Sequence, residues 1–211
     1  MKKIYFLSFF VFSLAVTFAQ KKNSSSNSST TRLTKNDIYG SSVVWMGLDF
    51  SLLNYVSKKK VGEEQKHLKY VGAWQKEFTK SIPEKKLAQW LGKTLFMSEN
   101  YYVENLYREN LNRPWMLEYS NSLSSEKIQT QIQTYKSNNQ GLALVFIPGV
   151  FNETEGLLTL NIVWFDLDTR AIIDLKEVSV KAGPASMTSR WLDGLIEATK
   201  NYVDKYYKKR V

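Results

Sequence analysis

The 211-residue chain contains no cysteine and a single histidine, His67. Without cysteine there can be no disulfide framework, no thiolate metal site and no cysteine-linked lipid anchor. One histidine leaves no pair for a His-Glu-x-x-His zinc site, and His67 has no carboxylate-histidine pattern near it that would suit metal or acid–base work. Glycine-rich nucleotide loops are missing as well. Gly92-Lys93-Thr94 invites comparison with a phosphate-binding loop, yet the position five before Gly92 is Leu87, and the tripeptide follows a helical pattern instead of a strand. No serine stands in a Gly-x-Ser-x-Gly setting. Hydrolase, zincin and nucleotide-binding chemistry of the familiar kinds is therefore not expected, and neither is a cofactor or a metal.

Long apolar runs are scarce too. The one at residues 4–18 follows Lys2 and Lys3 and ends before the small residue Ala19. This pattern predicts a secretory signal peptide over residues 1–20, cleaved near Ala19-Gln20, because the run is too short and wrongly flanked for a stable membrane span. An uncleaved anchor is the alternative. The sequence thus predicts a periplasmic or secreted protein without a lipid anchor or a transmembrane helix in the mature chain. Residues 21–39, rich in Ser, Asn and Thr, have too few apolar side chains to offset their ordering entropy and read as a flexible leader. Removing Lys2 and Lys3 from 29 basic residues leaves 27 against 20 acidic ones, a moderately basic mature chain of about +7.

What is present is a single domain, residues 40–211, with an aromatic content of 14% that supports a real core. Its densest β-forming stretch is Leu142–Val180, which reads as three strands and two turns. Leu158, Leu160, Ile162 and Trp164 alternate on one face, and Thr159, Asn161, Val163 and Phe165 on the other. Leu167-Asp168-Thr169-Arg170 is the second turn, and a phase shift at Lys176-Glu177 predicts a β-bulge. Ser42–Leu48 is an earlier strand. Apolar residues three and four apart predict helices from Glu63 to Lys80, from Pro83 to Gly92, from Ser124 or Ser125 to Tyr135 and from Ser186 to Tyr207. The last carries Trp191, Leu195, Ala198, Tyr202 and Tyr206 on one side and should lie across the apolar face of the hairpin. Residues 97–117 suit either an edge strand or a short helix. The expected fold is mixed α/β, with a sheet of four or five strands, helices packed on it and a closing C-terminal helix.

Candidate functional residues are few. Asp49 ends the first strand, where ligands gather in open α/β sheets, although Asp or Ser there also caps turns. Asp166 and Asp168, with Asp174, surround the hairpin turn; paired acids can hydrolyse glycosides, and turn aspartates also bind local backbone donors. Two basic clusters suit an acidic partner, an anionic lipid or a glycan: Lys58, Lys59 and Lys60, and the tail Lys205, Lys208, Lys209 and Arg210 with its interleaved tyrosines. In an exported protein that tail is not expected to hold nucleic acid, and its positive charges also complement a helix C-terminus.

Val44-Trp45-Met46-Gly47-Leu48-Asp49-Phe50-Ser51, then Leu144-Val145-Phe146-Ile147, Trp164-Phe165-Asp166-Leu167-Asp168-Thr169, Lys181-Ala182-Gly183 and Trp191 give the chain a family likeness. It resembles a set of small exported proteins of Bacteroidota. The order of elements is also similar to periplasmic α/β modules of envelope lipoproteins, namely the curli-secretion lipoprotein and the N-terminal domain of the Tol-system β-propeller protein. The chain departs from those lipoproteins in lacking the lipidated cysteine. That likeness is one of fold and carries no activity; an evident core without visible chemistry makes an exported periplasmic or envelope-associated, non-enzymatic module that binds an envelope protein or assists assembly the leading expectation. A carboxylate-based periplasmic hydrolase and a module for anionic lipid or glycan remain as alternatives.

Overall fold

The computed structural model describes residues 32–57, 64–100 and 122–210, without the side chains of residues 64–68 and 210. The predicted signal peptide, most of the leader, Lys58, Lys59, Lys60, the His67 side chain and residues 101–121 lie outside that description.

A 3-10 turn, Lys35–Tyr39, leads into β1, Ser42–Leu48, and the short β2, Asn54–Val56. Helices α1, Glu64–Ser81, and α2, Glu84–Trp90, follow, then β3, Leu95–Ser98. Helix α3, Ser125–Gln133, precedes three strands: β4, Leu142–Asn152, β5, Leu157–Asp166, and β6, Ile172–Lys181. Helix α4, Met187–Tyr202, closes the fold and runs into a π turn, Val203–Tyr207, and a 3-10 turn, Lys208–Arg210. Among the described residues, no helix is long and apolar enough to cross a membrane.

The strands form one mixed sheet in the order β3-β1-β4-β5-β6, with β2 also paired to β4. Strands β3, β1 and β4 run parallel, whereas β5 and β6 return antiparallel as a meander. Parallel strands need crossover connections that put helices over the sheet, so both of their faces are buried. This is why β1 and β4 read as nearly unbroken apolar runs: all eleven residues of β4 are buried. The hairpin can alternate instead, and the second half of β6, Glu177–Lys181, does so residue by residue.

Helices α1, α2 and α4 cover one face. Val71, Trp74 and Phe78 of α1 and Trp191, Leu195 and Ala198 of α4 join Leu158, Leu160, Ile162 and Trp164 of β5 in one core. The indole of Trp164 is fully buried, and its Nε1 donates to the Tyr202 hydroxyl at 2.7 Å, which satisfies the polar edge of that ring. Helix α3 sits on the other face, with Ile128 and Ile132 against Val44, Val145, Val163 and Phe165.

Mixed α/β architecture, hairpin and closing helix follow the sequence reading, and the strand count among the described residues is six. Strands β1 and β2 lie in line along β4, with Leu48 opposite Phe146 and Asn54 opposite Val150. They are one strand position divided at Asp49. The extra residue of β6 is Ile173, not one at Lys176-Glu177: Phe165 pairs with Ile172 and Trp164 with Asp174, and pairing is continuous from there to Lys181. The bulge sits beside the turn, where Arg170 takes a left-handed φ of 59°. After it, Asp174, Lys176, Val178 and Val180 share one face.

Candidate functional site

At the division between β1 and β2 the backbone leaves the ladder just after Asp49, whose N–H still donates to the Phe146 carbonyl at 2.8 Å. The Asp49 side chain is 0% exposed. Its Oδ1 accepts from the Ser51 N–H at 2.8 Å; its Oδ2 accepts from Gln131 Nε2 at 3.0 Å and from the Tyr135 hydroxyl at 2.6 Å. Burial pushes the carboxyl pKa up, while the hydrogen bonds from Ser51, Tyr135 and Gln131 act the other way. Asp49 thus ties a broken strand to α3. Both oxygens are engaged inside the fold.

Buried Asp166 and exposed Asp168 each engage one oxygen with the backbone. Asp166 Oδ1 accepts from the N–H groups of Asp168 at 2.8 Å and Thr169 at 3.2 Å, and Asp168 Oδ2 accepts from the Gly141 N–H at 3.1 Å. The first pair shapes the β5–β6 turn and the second ties that turn to the start of β4. Asp174 stands apart, paired with Lys35 at 2.7 Å. Helix α3 links the two aspartate sites without merging them: Gln129 Nε2 donates to the Arg170 carbonyl at 2.7 Å, and Arg170 Nε to the Tyr135 carbonyl at 3.1 Å. Among the described residues, no group of three or more His, Asp or Glu side chains could hold a metal ion.

Lys93 has a role that its phosphate-loop setting does not suggest. It is 6% exposed, and its Nζ donates to the carbonyls of Ile38 and Gly40, both at 2.5 Å, with the Trp164 ring 5.2 Å away. Burial draws its pKa down to about 8. The side chain pins the N-terminal 3-10 turn to the sheet, helped by Tyr207, whose hydroxyl contacts the carbonyls of Ile38 and Leu91 at 3.2 and 2.8 Å. At the far end of β2, the hydroxyls of Tyr55 and Ser57 reach Glu153 Oε2, and burial followed by the Glu153 charge raises the Tyr55 pKa to about 12.

Among the described residues, β3 and β6 end the strand order of the sheet, and they differ in chemistry. Strand β6 carries Asp174, Lys176, Glu177 and Lys181, charges that discourage another strand from pairing. Strand β3, with the sequence LFMS, carries none. Leu95 is 53% exposed, the single large hydrophobic side chain so exposed among the described residues, and Phe96 and Met97 are half-buried. In the sequence, the signal was an uncharged five-residue run, Thr94–Ser98, between Lys93 and Glu99. The reading that began the uncertain segment at residue 97 divided it.

Of the basic candidates, Lys205, Lys208 and Lys209 are exposed in the C-terminal turns that end at Arg210, and Lys208 pairs with Asp204 at 2.8 Å. Comparison with protein-family models, with curated proteins and with solved structures finds no match.

Proposed function

We propose that the chain is an exported, envelope-associated, non-enzymatic module that binds a partner protein by accepting an extended segment along β3. The exposed Leu95 on an uncharged outer strand is the observation that carries this reading. An added strand gains main-chain hydrogen bonds from the sheet edge and side-chain contacts from alternate residues, here Leu95 and Met97 on one side and Phe96 on the other. Among the described residues, the opposite outer strand, with its four charged residues, is guarded where β3 is receptive. The carboxylate-hydrolase alternative draws no support from Asp49, Asp166 and Asp168, each of which has an oxygen that accepts from a donor of the fold itself.

Purification of the tagged chain from envelope extracts tests the reading. The wild type should bring down a discrete protein at low and high salt, and Leu95→Lys, which places a charge on an already exposed position, should lose it with an unchanged melting temperature. Recovery of the chain alone under both conditions, or capture unaffected by Leu95→Lys, contradicts it.

A further inference from the structure

Three segments far apart in sequence meet on one surface: the N-terminal 3-10 turn, the start of β6 and the C-terminal turns. Tyr207 joins the first to the third through the Ile38 carbonyl, and its ring centroid lies 5.4 Å from that of Tyr39. Lys35 and Asp174 join the first to β6. Lys176 of β6 lies 4.2 Å from the ring centroid of Tyr206. Cations that the sequence scatters therefore gather: Arg32 and Lys35 from one end, Lys176 from the hairpin, and Lys205, Lys208 and Lys209 from the other end. All but Lys176 are exposed, and Tyr39 and Tyr206 are half-buried among them. The facing acids are partly spent, Asp174 on Lys35, Asp204 on Lys208, and Asp37 on the backbone and hydroxyl of Thr34.

We propose that this basic, tyrosine-bearing surface lies against an anionic lipid bilayer. The cleft between the tyrosines, Asp174 and Lys176 has a volume of about 10 Å³, room for no more than a water. A wider groove of about 230 Å³ is lined by Arg32, Lys35 and Asp166 but not by the C-terminal lysines. The cations do not converge on one anion. Mostly lysines, they are point charges on flexible stems spread over a face, an arrangement that matches a plane of many headgroups better than the fixed fork an arginine offers a single phosphate. Tyrosine rings are favoured at headgroup depth, where one end is apolar and the other wet. Each cation near such a surface strengthens binding by about fivefold, and the attraction fades within a Debye length. This inference is independent of the reading of β3.

Residues Arg32–Val211 form a compact unit of their own, so a chain beginning at Lys21 keeps the fold and omits the apolar run at residues 4–18. In co-sedimentation, that protein should bind vesicles rich in phosphatidylglycerol, release them at high salt and ignore phosphatidylcholine vesicles. Arg32→Gln/Lys176→Gln, both outside the tail, should weaken binding by on the order of tenfold, and adding Lys205→Gln/Lys209→Gln by on the order of 100-fold or more. Arg32→Gln/Lys205→Gln alters only exposed side chains and should weaken binding by on the order of tenfold with unchanged thermal melting. Equal binding to both vesicle types, or vesicle binding unmoved by these substitutions, overturns the proposal. So does displacement by free glycerol phosphate, which would reveal a single-anion pocket, or by polyglutamate in preference to vesicles, which would point to an acidic protein.

Discussion

Asp49 is a buried carboxyl group that accepts from Ser51, Gln131 and Tyr135 and, among the described residues, has no cation beside it, so its ionisation lowers the stability of the fold. Its pKa in the folded chain is raised above the unfolded value, so the native state binds the proton more tightly. Stability is then greatest below the ordinary carboxylate pKa and declines as pH rises from there through the folded pKa, beyond which the penalty is constant. Asp49→Asn cannot ionise. The stability of this variant relative to wild type should therefore increase with pH over that window, as measured by urea unfolding from pH 4 to 8. Asp49→Ala cannot ionise either, but it strands the donors of Ser51, Gln131 and Tyr135 in the interior, so it should be less stable than Asp49→Asn by about 2–4 kcal/mol at every pH. A wild type and Asp49→Asn that differ by a constant amount across the range would show that the carboxyl is ionised throughout. Lys93 has the opposite sign: with a folded pKa of about 8 against an ordinary 10.5, its burden is present below pH 8 and is relieved as pH rises toward the unfolded value.

At the scale of elements, the alternation of β5 explains both what could be read from the sequence and what could not. Leu158, Leu160, Ile162 and Trp164 announced a core face, and they meet α4 as expected. Thr159 and Asn161, on the mixed face, are buried because β4 bulges opposite them. Pro148 pairs with Leu160 and Val150 with Thr159, leaving Gly149 unpaired; Thr159 Oγ1 then accepts from the Val150 N–H at 2.9 Å, and Asn161 Nδ2 donates to the Ile147 carbonyl at 3.3 Å. A Cβ on Gly149 would stand 2.7 Å from Thr159 Oγ1 and 3.0 Å from Asn161 Nδ2. Gly149→Ala should therefore destabilise the protein by about 1–3 kcal/mol in denaturant melts. Gly72→Ala, in α1 with nothing within 4 Å of the added carbon, should stabilise it by about 0.4–1 kcal/mol. Equal effects at the two positions would remove the bulge argument. The β6 bulge was misplaced from the sequence because the apolar residues Ile172 and Ile173 conceal where the phase changes. Division of a strand position into β1 and β2 was hidden because Phe50, Leu52 and Leu53 keep the break as apolar as the strands beside it.

For the whole molecule, composition and periodicity carried the class of fold, the hairpin and the helix that covers it. They did not carry the order of strands. Which strands lie outermost depends on long-range pairing, here Ser42 with Leu95 and Leu157 with Lys181, which leaves little trace in local pattern. The candidate site was less legible for the same reason. Asp49, Asp166 and Asp168 stood out by residue type, yet each has an oxygen that accepts from a donor of the fold; the uncharged run that holds Leu95 gained meaning only once β3 was placed at the edge. The proposed binding mode requires that the β3 edge receive a partner and the β6 edge repel one. A photo-crosslinking residue placed at Leu95 in β3, and in parallel at the exposed Ser179 in β6, tests this directly in living cells. The account predicts a discrete adduct with another protein from position 95 and none from position 179. No adduct from position 95, or equal adducts from both, would contradict it.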